Sequence, residues 1–159
     1  MNIRVVHIPL AFILLAMLAA TRGVSAETYQ LEPGPGSRIQ DLIDDVVVAG
    51  DVILLEAGDH LVESVIDLRG LSITLRGETD RLGRPVARLV GAGGTGILSC
   101  RSGETLETRI ETLEVVDGDI DLGGGLLIVD SSPSLFGVRF IGNTGSVFGG
   151  GVCIFGSAS

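Results

Sequence analysis

Apolar and polar residues change their spacing twice along the chain, and each change marks a boundary. The first segment, Met1 to Ala26, is mostly apolar and contains no acidic residue. Between residues 37 and 50, Ile39, Leu42, Ile43, Val46 and Val47 recur at three- and four-residue intervals, the spacing of one helical face. Ser37 and Gln40 have the spacing of a capping box, Gly50 follows the end, and Asp41, Asp44 and Asp45 occupy the opposite face. The pattern predicts one short amphipathic helix over 38–48. A strand at Thr28 to Leu31 and the breaker cluster Pro33-Gly34-Pro35-Gly36 precede it. After Gly50 the pattern becomes short Val-, Ile- and Leu-rich runs, each stopped by Gly or a charged turn, as in DVILLEAG, SVIDLRG, LSITLRG and ARLVGAG. Runs this close leave no room for crossover helices, so the rest of the chain is all-β.

An internal repeat narrows that class. Gly123-Gly124-Gly125 leads into LLIVDSS, and Gly149-Gly150-Gly151, 26 residues later, leads into VCIFGSA. Upstream, GTGILSCRSG aligns with GGGLLIVDSS, and SPSLFGVRFIGNTGSVF fills the space between the triplets. A repeat in the twenties with three short strands per turn indicates a solenoid, in which each coil buries its apolar side only by stacking on the next. Both alternate sets of residues in these strands are mainly apolar, so the pattern does not fix which set points inward. The predicted fold is a right-handed parallel β-helix of about four coils, with the helix over 38–48 closing its N-terminal end.

The run IQDLIDDVVVAGDVILLEAGDHL resembles the opening of bacterial β-helix proteins, where a capping helix precedes a first coil of GD-V-L-x-x-G type. The GGG, SSPSL and FIGN elements are similar to the glycine-rich repeats of polymorphic outer-membrane proteins and of pectate-lyase-like solenoids. The resemblance spans nearly all of residues 27–159 and implies architecture. It leaves activity open, because the same coil carries lyases, hydrolases, adhesins and inert stalks.

The leading segment has the three parts of a secretory signal: a basic start at Arg4, an apolar stretch from about Ile8 to Ala20, and small residues ending Val24-Ser25-Ala26. The apolar run is shorter than the roughly 20 residues of a spanning helix, so residues 1–26 are assigned as a cleavable signal peptide and 27–159 as the β-helix domain. Cleavage removes Arg4 and Arg22, leaving nine arginines against twenty carboxylates and a net charge of −11. That surface repels nucleic acid and anionic lipid. Export places Cys100 and Cys153 in an oxidising compartment. Aligning the coils by their glycines sets Cys100 beside Val129 and Phe155, and Cys153 on Leu127 and Leu98, two coils and two strand positions apart. That separation is roughly 11 Å or more, too far for a disulfide, so both are expected as free thiols.

The polar clusters yield no catalytic set. Asp117, Asp119 and Asp121 alternate around Gly118 as calcium ligands can. They lack the glycine and the distal glutamate of a calcium loop, so an acidic turn is expected. Asp44-Asp45 falls on the solvated helix face. Asp67 and Arg69 are expected as a surface ion pair, and His60, in a Gly-Asp-His run, as a turn residue. The Gly triplets lack the Lys and Ser/Thr of a phosphate loop and read as tight corners, as does Asn143. No residue is assigned as catalytic, cofactor-binding or metal-binding.

The expectation is a non-catalytic secreted or cell-surface module, structural, adhesive or carbohydrate-contacting, on the surface or associated with the outer membrane. Its expected partner is an extracellular polysaccharide or a surface protein. The alternative is the N-terminal part of a polysaccharide lyase or hydrolase whose active site lies beyond Ser159. Outward carboxylates on three successive coils beside an arginine would favour the enzyme, and an outer face of small and apolar residues the scaffold. The sequence stops mid-coil at Gly156-Ser157-Ala158-Ser159, so either a longer protein or self-association through the open last coil is expected.

Overall fold

Short β-runs separated by corner residues wind into a parallel β-solenoid of about five turns in the computed structural model, which describes residues 25–156. Three sheets form its sides, and every pairing between their strands is parallel. Numbered along the chain, sheet A contains β1 (Thr28–Leu31), β3 (Val52–Leu55), β6 (Thr74–Gly77), β9 (Arg109–Glu111) and β12 (Ser134–Phe136). Sheet B contains β2 (Gly34–Pro35), β4 (Gly58–Val62), β7 (Ala87–Gly91), β10 (Glu114–Val116) and β13 (Arg139–Ile141). Sheet C contains β5 (Ile66–Asp67), β8 (Leu98–Cys100), β11 (Leu126–Val129) and β14 (Val152–Phe155). In the first coil the place of the sheet C strand is taken by the helix α1 (Ser37–Asp45). The third coil carries two excursions, 78–86 and 101–108. The assigned signal peptide lies almost entirely outside the described residues.

The register settles which residues face inward. On sheet A, Tyr29, Ile53, Leu75, Ile110 and Leu135 stack in one interior column; on sheet C, Ile66, Leu98, Leu126 and Val152 do the same. Burial is near complete through the middle coils and fails in the last, where Leu135 and Ile154 are 39% and 69% exposed because no further strand among the described residues lies over them. The corners between strands take left-handed backbone: Arg69, Thr112, Asp117 and Asp130 all have positive φ. Gly137 and Gly142 take it at the positions one coil beyond Thr112 and Asp117.

The helix differs from the sequence reading at both ends. It begins at Ser37 with Gly36 as its N-cap and no side-chain cap, so the Ser37 and Gln40 spacing is not a capping box. Gln40 instead turns to β5. Its side-chain carbonyl accepts from the Asp67 N–H at 2.8 Å, and its amide N–H donates to the Asp67 carbonyl at 3.3 Å. One amide side chain thus substitutes for the missing strand beside β5. The helix stops at Asp45 because Asp51, buried in the following corner, accepts the N–H of Val48 through Oδ2 and that of Glu27 through Oδ1. The aspartate of the Gly50-Asp51 motif therefore ties three segments of the cap together.

His60 is not a turn residue. Strand β4 starts back at Gly58, which puts His60 inward, 1% exposed, in the sheet B column above Leu89, Val115 and Phe140. Its Nε2 lies 3.1 Å from the Glu56 carbonyl and donates to it. Burial lowers its pKa below the usual 6.5 and Arg38 adds to this, against the Glu56 carbonyl and the carboxylates of Asp59 and Glu56. The unfolded chain therefore takes up a proton near pH 6.5 that the folded chain resists. Stability conferred by His60 is intact above that pH and falls as the pH drops below it. In urea unfolding between pH 7.5 and 5.5, the wild type should lose stability and His60→Leu should lose markedly less. Equal losses would remove His60 as the cause.

Candidate functional site

A cleft of about 250 Å³ opens on the outer face of sheet C. Its floor consists of the outward residues of three successive strands, Asp67 on β5, Ser99 on β8 and Leu127 on β11, which the parallel register sets in one column. Arg101, one outward position further along, stands at its edge. Val65, Ile120 and Leu122, from the corners between sheets B and C, form the apolar wall. Gly96 lets that wall close in, since a Cβ there would sit 3.1 Å from Ile120 Cγ2 and 3.5 Å from Val65 Cγ2.

The polar groups of the cleft are few and differ in chemistry. The Asp67 carboxylate accepts from the Arg69 N–H through Oδ1. Ser99 is buried at the floor with its hydroxyl toward the cleft. Arg101 is exposed and, among the described residues, forms no ion pair. A donor, an acceptor and a cation thus line one side of an apolar trough. Such an arrangement can hold a polar ring by its edges and its C–H face. It holds no His, Cys or second carboxylate to take or give a proton at a reacting bond.

Apart from Asp67, the polar residues singled out in the sequence lie outside the cleft, for the most part as structural parts. Asp67 and Arg69 do not pair through their side chains: Arg69 has left-handed backbone just past β5, and its guanidinium reaches Asp44 on the helix at 3.2 Å. Asp44 also accepts from Gln40 at 2.8 Å. Asp119 accepts from the Thr144 hydroxyl at 2.7 Å, and Asp121 accepts from the Ser146 hydroxyl, each one coil on. Among the described residues no three metal-ligating side chains converge. Asn143 is a corner residue, donating to the Val115 carbonyl and accepting from the Gly118 N–H, both at 2.8 Å.

The cysteines are free, but their register differs by one residue from the glycine alignment. Leu98, not Gly96, sets the match, stacking on Leu126, so Cys100 lies on Ile128 and Ile154 while Cys153 lies on Leu127 and Ser99. A one-residue slip reverses the face. Cys100 thus points inward, and burial, with the charges of Glu104 and Asp67, pushes its thiol up to about 12, which makes it unreactive.

The outer face of sheet B bears the longest charged array. Asp59, Arg88, Glu114 and Arg139 stack on successive coils, with Arg88 2.9 Å from Asp59 and 3.6 Å from Glu114, and Arg139 paired to Glu114. Carboxylates do recur across coils beside arginine, but in alternation, so each is neutralised. On sheet A, Arg76 bonds Glu111 at 2.7 Å. No family profile, curated protein or solved structure matches this chain.

Proposed function

We propose that the chain is a non-catalytic exported β-helix module, similar in kind to pectate-lyase-like solenoids and the repeats of polymorphic outer-membrane proteins, which contacts an extracellular carbohydrate through the sheet C cleft. The observation that carries the reading is the pairing, in one cleft, of an apolar wall with Asp67, Ser99 and the unpaired Arg101. A sugar ring has apolar C–H faces and hydroxyl edges, and this trough matches both. The alternating ladder on sheet B supports a scaffold role, because its carboxylates are held by arginines.

The cleft is small and has no aromatic platform, so the expected affinity is weak, with a dissociation constant in the millimolar range. Titration with neutral and acidic oligosaccharides, followed by amide chemical shifts, should perturb residues of β5, β8 and β11. Arg101→Ala should weaken binding of acidic oligosaccharides about tenfold, the loss of roughly 1.4 kcal/mol. Shifts confined to another face, or none, would sink the carbohydrate reading. Release of reducing or unsaturated ends during the titration would sink the non-catalytic one.

A further inference from the structure

The ladder on sheet B reads as one sequence of charges along the solenoid: minus at Asp59, plus at Arg88, minus at Glu114, plus at Arg139. Reversed end to end, every sign is exchanged. The pattern is therefore complementary to its own reverse, and it repels an unreversed copy at every rung. Beside it runs an apolar column, Leu61, Val90, Val116 and Ile141, in the same outward orientation. Leu61 is 43% and Ile141 38% exposed, while Val116 is recessed at 3%.

We infer that two copies of this chain pack sheet B against sheet B, with their solenoid axes antiparallel. A two-fold axis parallel to the strands, between the Arg88 and Glu114 rungs, produces this arrangement. It keeps each column over itself while reversing its order. Asp59 then faces the partner copy's Arg139 and Arg88 faces its Glu114, while Leu61 meets Ile141 and Val90 meets Val116. A two-fold axis along the solenoid keeps the copies parallel and sets the ladder either against the apolar column or, like charge to like charge, against itself. The charges choose the antiparallel geometry.

The size of the face sets the strength. Strand spacing and rise make it roughly 20 Å by 15 Å, so the pair buries on the order of 600 Å² plus its rim. That is below the roughly 1,200 Å² of stable complexes, so the dimer is weak, concentration-dependent and salt-sensitive.

Sedimentation velocity on the wild-type chain, up to about 1 mM, should show reversible dimers that weaken as salt is raised from about 0.05 to 0.5 M. Asp59→Arg alone and Arg139→Glu alone each set like charges opposite one another at both ends of the interface, and each should weaken self-association at least tenfold. Mixing the two variants restores opposite charges at both ends, so the mixture should associate as well as the wild type. Each reversal also sets like charges side by side within its own chain, at Arg88 or at Glu114, so circular dichroism melts check that each variant is folded. A wild type that stays monomeric at 1 mM would overturn the inference. So would association that ignores both substitutions, which would place the contact elsewhere, as at the open last coil. A mixture of folded variants no better than either alone would overturn it too.

Discussion

Gly124→Ala is expected to lose on the order of 3 kcal/mol of stability, or to fail to fold. The steric cause lies in the stacking of the coils. A Cβ at Gly124 would stand 2.2 Å from the Thr144 carbonyl oxygen and 2.6 Å from that of Gly118. Both are backbone atoms, so nothing flexible can swing away. Relief requires separating two coils, which breaks the Gly125–Gly150 and Ile97–Gly124 backbone bonds around it. Overpacking of a core typically costs about 1–3 kcal/mol when side chains can shift, and more where only backbone can yield. Gly83→Ala is the control: nothing lies within 4 Å of its would-be Cβ, but φ is +74°. That change should cost only about 1 kcal/mol, the penalty for left-handed backbone. Denaturant midpoints of the two variants decide the matter. Equal losses would mean that conformational freedom, not coil spacing, is what the triplet supplies.

Glu104→Gln is expected to cost about 2 kcal/mol and to abolish a specific acid sensitivity. Glu104 is buried in the excursion after β8 and joins three coils. Oε1 accepts from the Gly70 N–H at 2.8 Å, and Oε2 accepts from the Ser102 N–H at 2.9 Å and the Ser131 hydroxyl at 2.8 Å. An amide cannot accept all three, so one N–H is left facing another. Charge-assisted bonds of this kind contribute about 1.5–3 kcal/mol each. Burial pushes the carboxyl pKa up, but the N–H groups of Ser102 and Gly70 and the Ser131 hydroxyl outweigh it, and the net effect lowers it below the usual 4.5. The unfolded chain therefore takes up this proton first. Stability from Glu104 is fully present above about pH 4.5 and is lost as the pH falls below it. In unfolding measurements from pH 6 to 3 the wild type should show that loss, and Glu104→Gln should show less of it. An identical acid slope in both chains would assign the loss to other carboxylates. The window lies below the one set by His60, so the two effects separate.

The architecture was legible because its signals are local. The i, i+3, i+4 spacing of Ile39, Leu42 and Ile43 marks the helix, β-branched runs mark the strands, and paired glycine triplets mark the repeat. The two glycine triplets gave the β11–β14 register correctly, but stacking beyond them was misread. Matching glycine to glycine slipped β8 by one residue, because the register is held by Leu98 on Leu126 and not by the flanking corners. His60 was misplaced because Gly-Asp-His looks like a turn until Ala87 and Leu89 are seen pairing with Gly58 and His60. The cleft was invisible for the same reason. Asp67, Ser99 and Leu127 belong to three coils, and each alone is an ordinary strand residue. Glu104 sits in a polar run, SGETLE, that reads as surface loop. Its burial appears only when Gly70 and Ser131 are brought to it.

The amide of Gln40 laid along β5 has a consequence for assembly. A stack of parallel strands can act as a template, adding identical molecules head to tail into a fibre. On this chain the first strand of sheet C offers its backbone to a side chain instead, and the first strand of sheet B contains Pro35, which has no N–H to give. Two of the three edges at that end therefore cannot seed another molecule's strands. Filament growth through this face is left with the β1 edge of sheet A alone, the other two being closed by the same residues that close the first coil.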